Sequence, residues 1–427
     1  MGSRRCVTQV ARESRTEASM GIHQKAETRA IIAAIVSIVI AIVAMAIYLR
    51  NASAIWLILG RKLLVESGII ATSSFIIFLV GYFQRPMIPL PQQLHRYSNK
   101  VLSAFRHLVE AVALSLVFSA TAFFTTYALL YTTSDIMGRD LFESYTYPVV
   151  GIFAAVVAFL GYIQASSLSA KAIATMLPLF MISGVTVAAL TSDDPWWWHN
   201  NFSQLGDRTT FAARMFNSTL ILAGVCIIIV TYFSALELIT AEFTDIDQHR
   251  PIKHFTARIT VFSVLLALTG VCLIGIGCFR YTPHPVLHNV FARGMSVPTG
   301  LLLALLPLLV PRLPKLIYII SDAGIVVAAA ALVEWLRGET TLTDVEALCC
   351  MLLLAWVILF ARQIAAMEAD HAQARLMELV ENAPEFNGVI LDATPQDAER
   401  EAKVSQKNAR RRKKNRRKNA PTTKSAV

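Results

Sequence analysis

Long apolar runs alternate with short polar breaks along most of the chain, and each run is close to the roughly 20 helical residues that cross a hydrocarbon core of about 30 Å. Ten such runs stand at approximately 30–49, 64–83, 108–131, 146–166, 171–191, 213–237, 257–279, 294–311, 314–336 and 344–366. Each is expected to be helical, because a segment alone in lipid must satisfy its own backbone hydrogen bonds. The predicted fold class is therefore an all-α, polytopic transmembrane helix bundle of about ten spans. The eighth run is the weakest: Pro298, Pro307 and Pro311 fall within it, so it reads as a crossing that is broken or re-entrant. A full crossing is favoured, since losing one span would put the two tails on opposite faces.

Composition rules out an ordinary soluble domain: 16% of the 427 residues are charged and 55% hydrophobic, against about 25% charged in soluble domains. The chain divides into a basic tail at 1–29, the bundle at 30–366 and a second tail at 367–427. The first apolar run is too long for a signal-peptide core, so it is expected to stay as an anchor. The second tail begins with a polar helical stretch that Pro384 and Gly388 interrupt, and the last span is expected to continue into it. Most of the net charge of +10 lies in Arg410, Arg411, Arg412, Lys413, Lys414, Arg416, Arg417 and Lys418. That block is expected to be a solvated tail attracted to anionic lipid headgroups, at about 1 kcal/mol per cation near the surface. Nucleic acid is disfavoured as its partner, because no aromatic residues interleave with the cations to stack on bases.

Lys and Arg divide almost evenly between the loops of the two faces, so the tails set the orientation. Arg12, Arg15, Lys25 and Arg29 precede the first span, and Arg362 and Arg375 lie at or beyond the last. Both termini are expected in the cytoplasm of a multi-pass plasma-membrane protein.

That orientation puts the two most polar connections outside. Residues 192–208 read SDDPWWWHNNFSQLGDR and residues 280–295 read RYTPHPVLHNVFARGM. They share a pattern, His199-Asn200-Asn201-Phe202-Ser203 against His288-Asn289-Val290-Phe291-Ala292, with Gly206 and Gly294 soon after. Each joins an odd span to the next even one, which suggests a duplicated two-helix unit of the kind found in transporters. Trp196, Trp197 and Trp198 suit the headgroup level, where an indole is half buried with a wet N–H; the alternative is an aromatic wall for a headgroup or sugar. The Asn217 amide, one turn into the sixth span, is positioned to hydrogen-bond the first of these loops.

Catalytic chemistry has no such pattern. Cysteines stand in apolar runs or, for Cys6, in the basic tail, without CxxC spacing, and read as packing residues. Neither a P-loop, a GxSxG elbow nor HExxH occurs. His284 and His288 at i, i+4 would share a helix face if Pro285 opens a helix; with His199 and Asp193, Asp194 or Glu334 they would make up a zinc set that the spacing does not require. No cofactor is expected. Asp322, seven residues past Lys315 and so about 10 Å deep, is the best intramembrane acid. It reads either as a proton or cation site facing the bundle interior or as an acid paired with a neighbouring helix. Glu66, Glu110, Glu237 and Glu242 lie near span ends, where snorkelling or capping is expected; Glu334 reads as interfacial.

The loop DPWWWHNNFSQLG followed by FNSTLILAG resembles a family of uncharacterised bacterial multi-pass membrane proteins in which a His/Phe-Ser-x-Leu-Gly loop precedes a helix opening with Asn. It is similar, more distantly, to the DRAM/Sfk membrane proteins. His199, Phe202, Ser203, Leu205, Gly206 and Asn217 carry the match, over about residues 105–310. The resemblance implies a bundle with a functional outer loop and no transferable activity. The expected function is binding or movement of a small solute or lipid through a bundle gated at its two outer loops. His199, Asn200, Phe202, Ser203, Asn217, His288, Asn289 and Asp322 are the candidate binding residues. The alternatives are an outer-leaflet enzyme acting on a lipid or polyprenyl-linked substrate with the loop histidines, and a membrane scaffold.

Overall fold

The computed structural model describes residues 22–53, 59–84, 100–137, 145–166, 170–245 and 253–381. The basic block at 410–418 and the Pro384 and Gly388 breaks lie outside them. Among the described residues every regular element is helical. In chain order the helices are α1 Ile22–Asn51, α2 Leu59–Gln84, α3 Lys100–Met137, α4 Thr146–Ser166, α5 Ala170–Leu190, α6 Phe211–Asp245, α7 Phe255–Cys278, α8 Pro285–Gly294, α9 Ser296–Leu309, α10 Lys315–Leu336 and α11 Leu342–Glu381. A 3-10 turn, Trp197–His199, and one α-turn, Gln204–Asp207, lie between α5 and α6. With α8 and α9 taken together as Pro285–Leu309, ten stretches among the described residues are long and apolar enough to cross a membrane. The protein is a polytopic all-α membrane bundle. Its compact part ends at Met367, and the described residues from Glu368 to Glu381 belong to a separate unit.

The eighth crossing starts earlier than its apolar run. Helix begins at Pro285, because Pro285 has the fixed φ suited to a first turn and no N–H to leave unpaired. His288, Asn289 and Arg293 interrupt the apolar pattern without interrupting the helix. The break falls at Met295, where Pro298 has no N–H to return to the Gly294 carbonyl one turn before.

Helix α1 shows how lipid reverses the usual burial pattern. It buries small or slim side chains, Ala30, Ser37, Ala41 and Met45, and leaves Ile31, Ile35, Val39 and Ile47 more than half exposed. Bulky apolar groups facing lipid cost nothing there, while small ones let backbones approach. The Ser37 hydroxyl lies 2.5 Å from that of Ser73 on α2 and donates to the Ala154 carbonyl on α4 at 3.1 Å, fastening three helices at one level.

Aromatic pairs fill the broader contacts. Phe78 of α2 stacks on Phe118 of α3 at 5.1 Å; Phe262 of α7 meets Phe360 of α11 at 5.1 Å, and Trp356 stacks on Phe360 at 5.0 Å. Helices α6 and α7 pack closest. A Cβ built on Gly270 would stand 2.7 Å from the Gly224 carbonyl oxygen, so only glycine fits this crossing. A Cβ on Gly277, at the end of α7, would stand as close to the Asn217 carbonyl oxygen near the start of α6, so the two helix ends that carry the polar connections lie side by side.

Candidate functional site at the paired polar loops

The first polar segment turns at Asp194, whose Oδ1 accepts the Trp196 N–H at 2.9 Å in a short side-chain-closed turn. Oδ2 of the same carboxylate pairs with Arg208 at 3.3 Å, so one acid ties the start of the segment to its end. The three tryptophans do not point one way. Trp196 and Trp198 are exposed, whereas Trp197 turns inward, edge-on to Phe202 at 5.8 Å. His199 is exposed and stacks on Trp198 with ring centres 3.8 Å apart.

Two anchors hold the middle of the segment to the helices beneath. The Phe202 N–H donates to Glu346 Oε2 on α11 at 2.7 Å, and the Asn217 amide donates to the Gly206 carbonyl at 2.9 Å. Phe202 also meets Phe216 edge-on at 5.8 Å. Gly206 is fully enclosed: a Cβ there would overlap Asn217 Oδ1 and stand 2.8 Å from the Phe216 ring. Thr210 Oγ1 then accepts the Ala213 N–H at 3.3 Å and starts α6.

The second segment folds back on α7. Phe279 and Phe291 stack with centres 5.6 Å apart, and the Phe291 ring fills the space that a side chain at Gly275 would occupy. His288 is buried, with Nδ1 2.7 Å from the Phe279 carbonyl oxygen and its ring edge-on to Tyr281. It locks α8 to the end of α7.

The two segments meet through Asp207. Its Oδ1 accepts the Thr282 N–H at 2.6 Å and its Oδ2 accepts the Thr282 hydroxyl. Arg280 Nη1 adds a bond to the Arg208 carbonyl at 3.3 Å. Around this junction is an open cleft of about 530 Å³, lined by Asp207, Arg208, Thr209, Thr210, Arg280 and Thr282 among others. Asp207 is already engaged by Thr282 and Arg208 is shared with Asp194. The remaining N–H groups of Arg280 and Arg208 and the hydroxyls of Thr209 and Thr210 stand on the walls beside the α6 N-terminus, a set of donors suited to an anionic oxygen group.

Sequence-predicted residues fall on both sides of this picture. His199, Asn200, Phe202 and Ser203 lie in the first segment, Asn217 bonds that segment, and His288 and Asn289 lie on α8. Neither histidine lines the cleft. His199 rests on tryptophans and His288 on a carbonyl, and among the described residues no three His, Cys, Asp or Glu side chains gather as a metal set. His284, exposed at the α8 N-cap, and buried His288 do not share a setting. The twin motifs also differ in backbone: the His199 copy runs from a 3-10 turn into a loop and the His288 copy is α-helix, so the repeat of letters is not a repeat of structure.

Asp322 does not face the bundle interior. It is exposed on α10, while its neighbour Ser321 points inward and accepts the Trp356 Nε1–H at 2.8 Å. Depth was readable from residue count; the side of the helix was not. Nor do the span-end acids snorkel: Glu66, Glu110, Glu237 and Glu242 are all buried, and Glu242 pairs with Arg312 at 2.7 Å. The residues that join the loops, Asp207, Arg280, Thr282 and Glu346, escaped the sequence analysis. The available signal was the second segment's opening Arg-Tyr-Thr, facing the Asp207-Arg208 pair that closes the first. No family model, curated protein or solved structure matches the chain.

Proposed function

We propose that this integral membrane protein binds an anionic headgroup, on a lipid or a small solute, in the cleft between its two polar segments on the outer face. The observation that carries this is the Asp207–Thr282 junction, which holds Arg208 and Arg280 on the walls of one opening. Arginine is suited to such a group because its planar fork meets two oxygens at once. Outward-turned Trp196 and Trp198 would rest at the headgroup level beside the cleft, and the Asn217 and Glu346 anchors would keep the first segment in place during loading. In this reading both termini are cytoplasmic, the membrane is the plasma membrane, and the basic block from Arg410 to Lys418 holds anionic lipid on the opposite face. The loop residues His199, Phe202, Ser203 and Gly206 are the grounds for also placing the chain beside the multi-pass proteins that share a His/Phe-Ser-x-Leu-Gly loop.

Native mass spectrometry of protein from nanodiscs tests the cleft. Retained phosphatidylglycerol should fall several-fold in Arg280→Gln and Arg208→Gln, with phosphatidylcholine unchanged. Adding soluble glycerol phosphate separates a headgroup site from a solute site, since only the latter gains mass from the free anion. Equal retention of anionic lipid by wild type and both variants, with no binding of the free anion, would refute the proposal.

A further inference from the structure

Helices α1, α2 and α4 enclose a carboxyl group that takes no part in the cleft. Glu66 of α2 is 1% exposed, and both of its carboxyl oxygens are buried without a hydrogen-bond partner. It lies five residues past Arg61, about 8 Å along the helix, inside the membrane-spanning part of α2. Apolar residues flank it along the helix. Leu63 and Ile70, one turn to either side, are buried, and Ile70 joins Met45 of α1 and Val150 of α4 in one cluster. The adjacent Ser67 hydroxyl is committed to the Leu63 carbonyl at 2.9 Å.

An ionised carboxylate is an acceptor with room for about four hydrogen bonds, and here it would meet no donor. The neutral acid fits such a place far better, because burial penalises the charged form most. Two groups act on Glu66 electrostatically: Lys62, buried one turn nearer the helix end, and Tyr48 on α1. Lys62 makes the charged form attainable, so the carboxyl has two usable states rather than one. We propose that Glu66 is a proton-binding site, enclosed by this fold and reached from the end of α2 at which Arg61 is exposed.

Infrared difference spectroscopy on the full chain in nanodiscs tests this, with Glu66→Gln as reference. At about pH 6 the wild type should show a carboxylic-acid C=O stretch that shifts in deuterium oxide and is absent from Glu66→Gln. The band should lose at least half its intensity by about pH 10, and Lys62→Met should move that loss to higher pH. Absence of the band at about pH 6 would mean a permanent ion pair and overturn the proposal. A band that persists undiminished at about pH 10 would overturn the exchange. Glu66→Gln should also fold and melt like wild type, because glutamine replaces a neutral acid with a neutral amide; its unfolding would count against the neutral state. None of these readouts involves Arg208 or Arg280, so they stand or fall apart from the cleft.

Discussion

Gly206 and Asn217 should be energetically coupled, and the coupling can be predicted with a sign. Gly206 is not in the left-handed region, so alanine there meets no backbone strain. What it meets is Asn217 Oδ1 and, at 2.8 Å, the Phe216 ring. Forcing a methyl into a filled site costs about 1–3 kcal/mol, here near the upper end because it overlaps Asn217 Oδ1, offset by about 0.4–1 kcal/mol from the stiffer unfolded chain. A net loss of about 2 kcal/mol is expected for Gly206→Ala. Asn217→Ala removes the 2.9 Å bond to the Gly206 carbonyl, worth about 0.5–1.5 kcal/mol, but alanine recovers about 0.5 kcal/mol as the better helix former. Its net cost should be about 0.5 kcal/mol.

In the double variant the atom that collides with the new methyl is gone, leaving the Phe216 contact alone. Gly206→Ala should then cost about 1 kcal/mol rather than 2, a coupling of about 1 kcal/mol against the roughly 0.3–0.5 kcal/mol scatter of independent sites. Steric-trap unfolding in bicelles measures all four corners of this cycle. Simple additivity of the two substitutions would refute the packing described for this junction, and with it the claim that α6 holds the loop in place.

Other contacts give independent tests. Trp356→Phe removes the Nε1–H bond to Ser321 and should cost about 1 kcal/mol in the same assay, the scale of interhelical hydrogen bonds in membranes; Ser321→Ala added to it should cost little more. Arg312→Met leaves Glu242 buried without the guanidinium 2.7 Å away. Complete burial would put the loss at about 3–5 kcal/mol, and the partly exposed arginine should bring it to about 2 kcal/mol. Asp207→Ala should speed hydrogen exchange at the Thr282 amide about tenfold, equivalent to about 1.4 kcal/mol and within the range for a bond to a charged group; amides deep in α7 should be unaffected. Gly270→Leu should prevent α6 and α7 from closing, read as loss of the folded fraction on extraction.

The helices were legible because the bilayer imposes a length and a backbone rule that leave few alternatives. All ten runs correspond to helices, and even the doubtful eighth is a crossing-length stretch. Its start was missed by nine residues for a physical reason: His288 and Asn289 read as loop because they are polar, yet His288 is polar in the service of packing, its ring bonded to the Phe279 carbonyl. Asn217 was legible as an anchor because its position one turn into a span leaves an amide only the nearby loop to bond. Phe291 shows the limit. It matches Phe202 letter for letter, but the small residue that receives it, Gly275, is sixteen positions earlier on another helix.

Acids inside the membrane show why the site resisted sequence logic while the fold did not. Distance along a helix is counted directly, at about 1.5 Å per residue, so depth follows from sequence; azimuth follows only from which neighbours arrive. Asp322 and Glu66 are each several residues inside a span, yet Asp322 is exposed and Glu66 enclosed. The difference lies in their helices. In α10 the buried positions are few, Ile317, Ser321 and Ala331, so most of its circumference, Asp322 included, faces outward from the bundle. Around α2, by contrast, α1, α3 and α4 all pack closely, and Glu66 is on an enclosed side of it. The cost of enclosing a charge among packed helices therefore falls on Glu66, and it is relieved only if the carboxyl sheds its charge or gains a partner. That is why the enclosed acid, rather than the more conspicuous one on α10, is the better place to look for a proton.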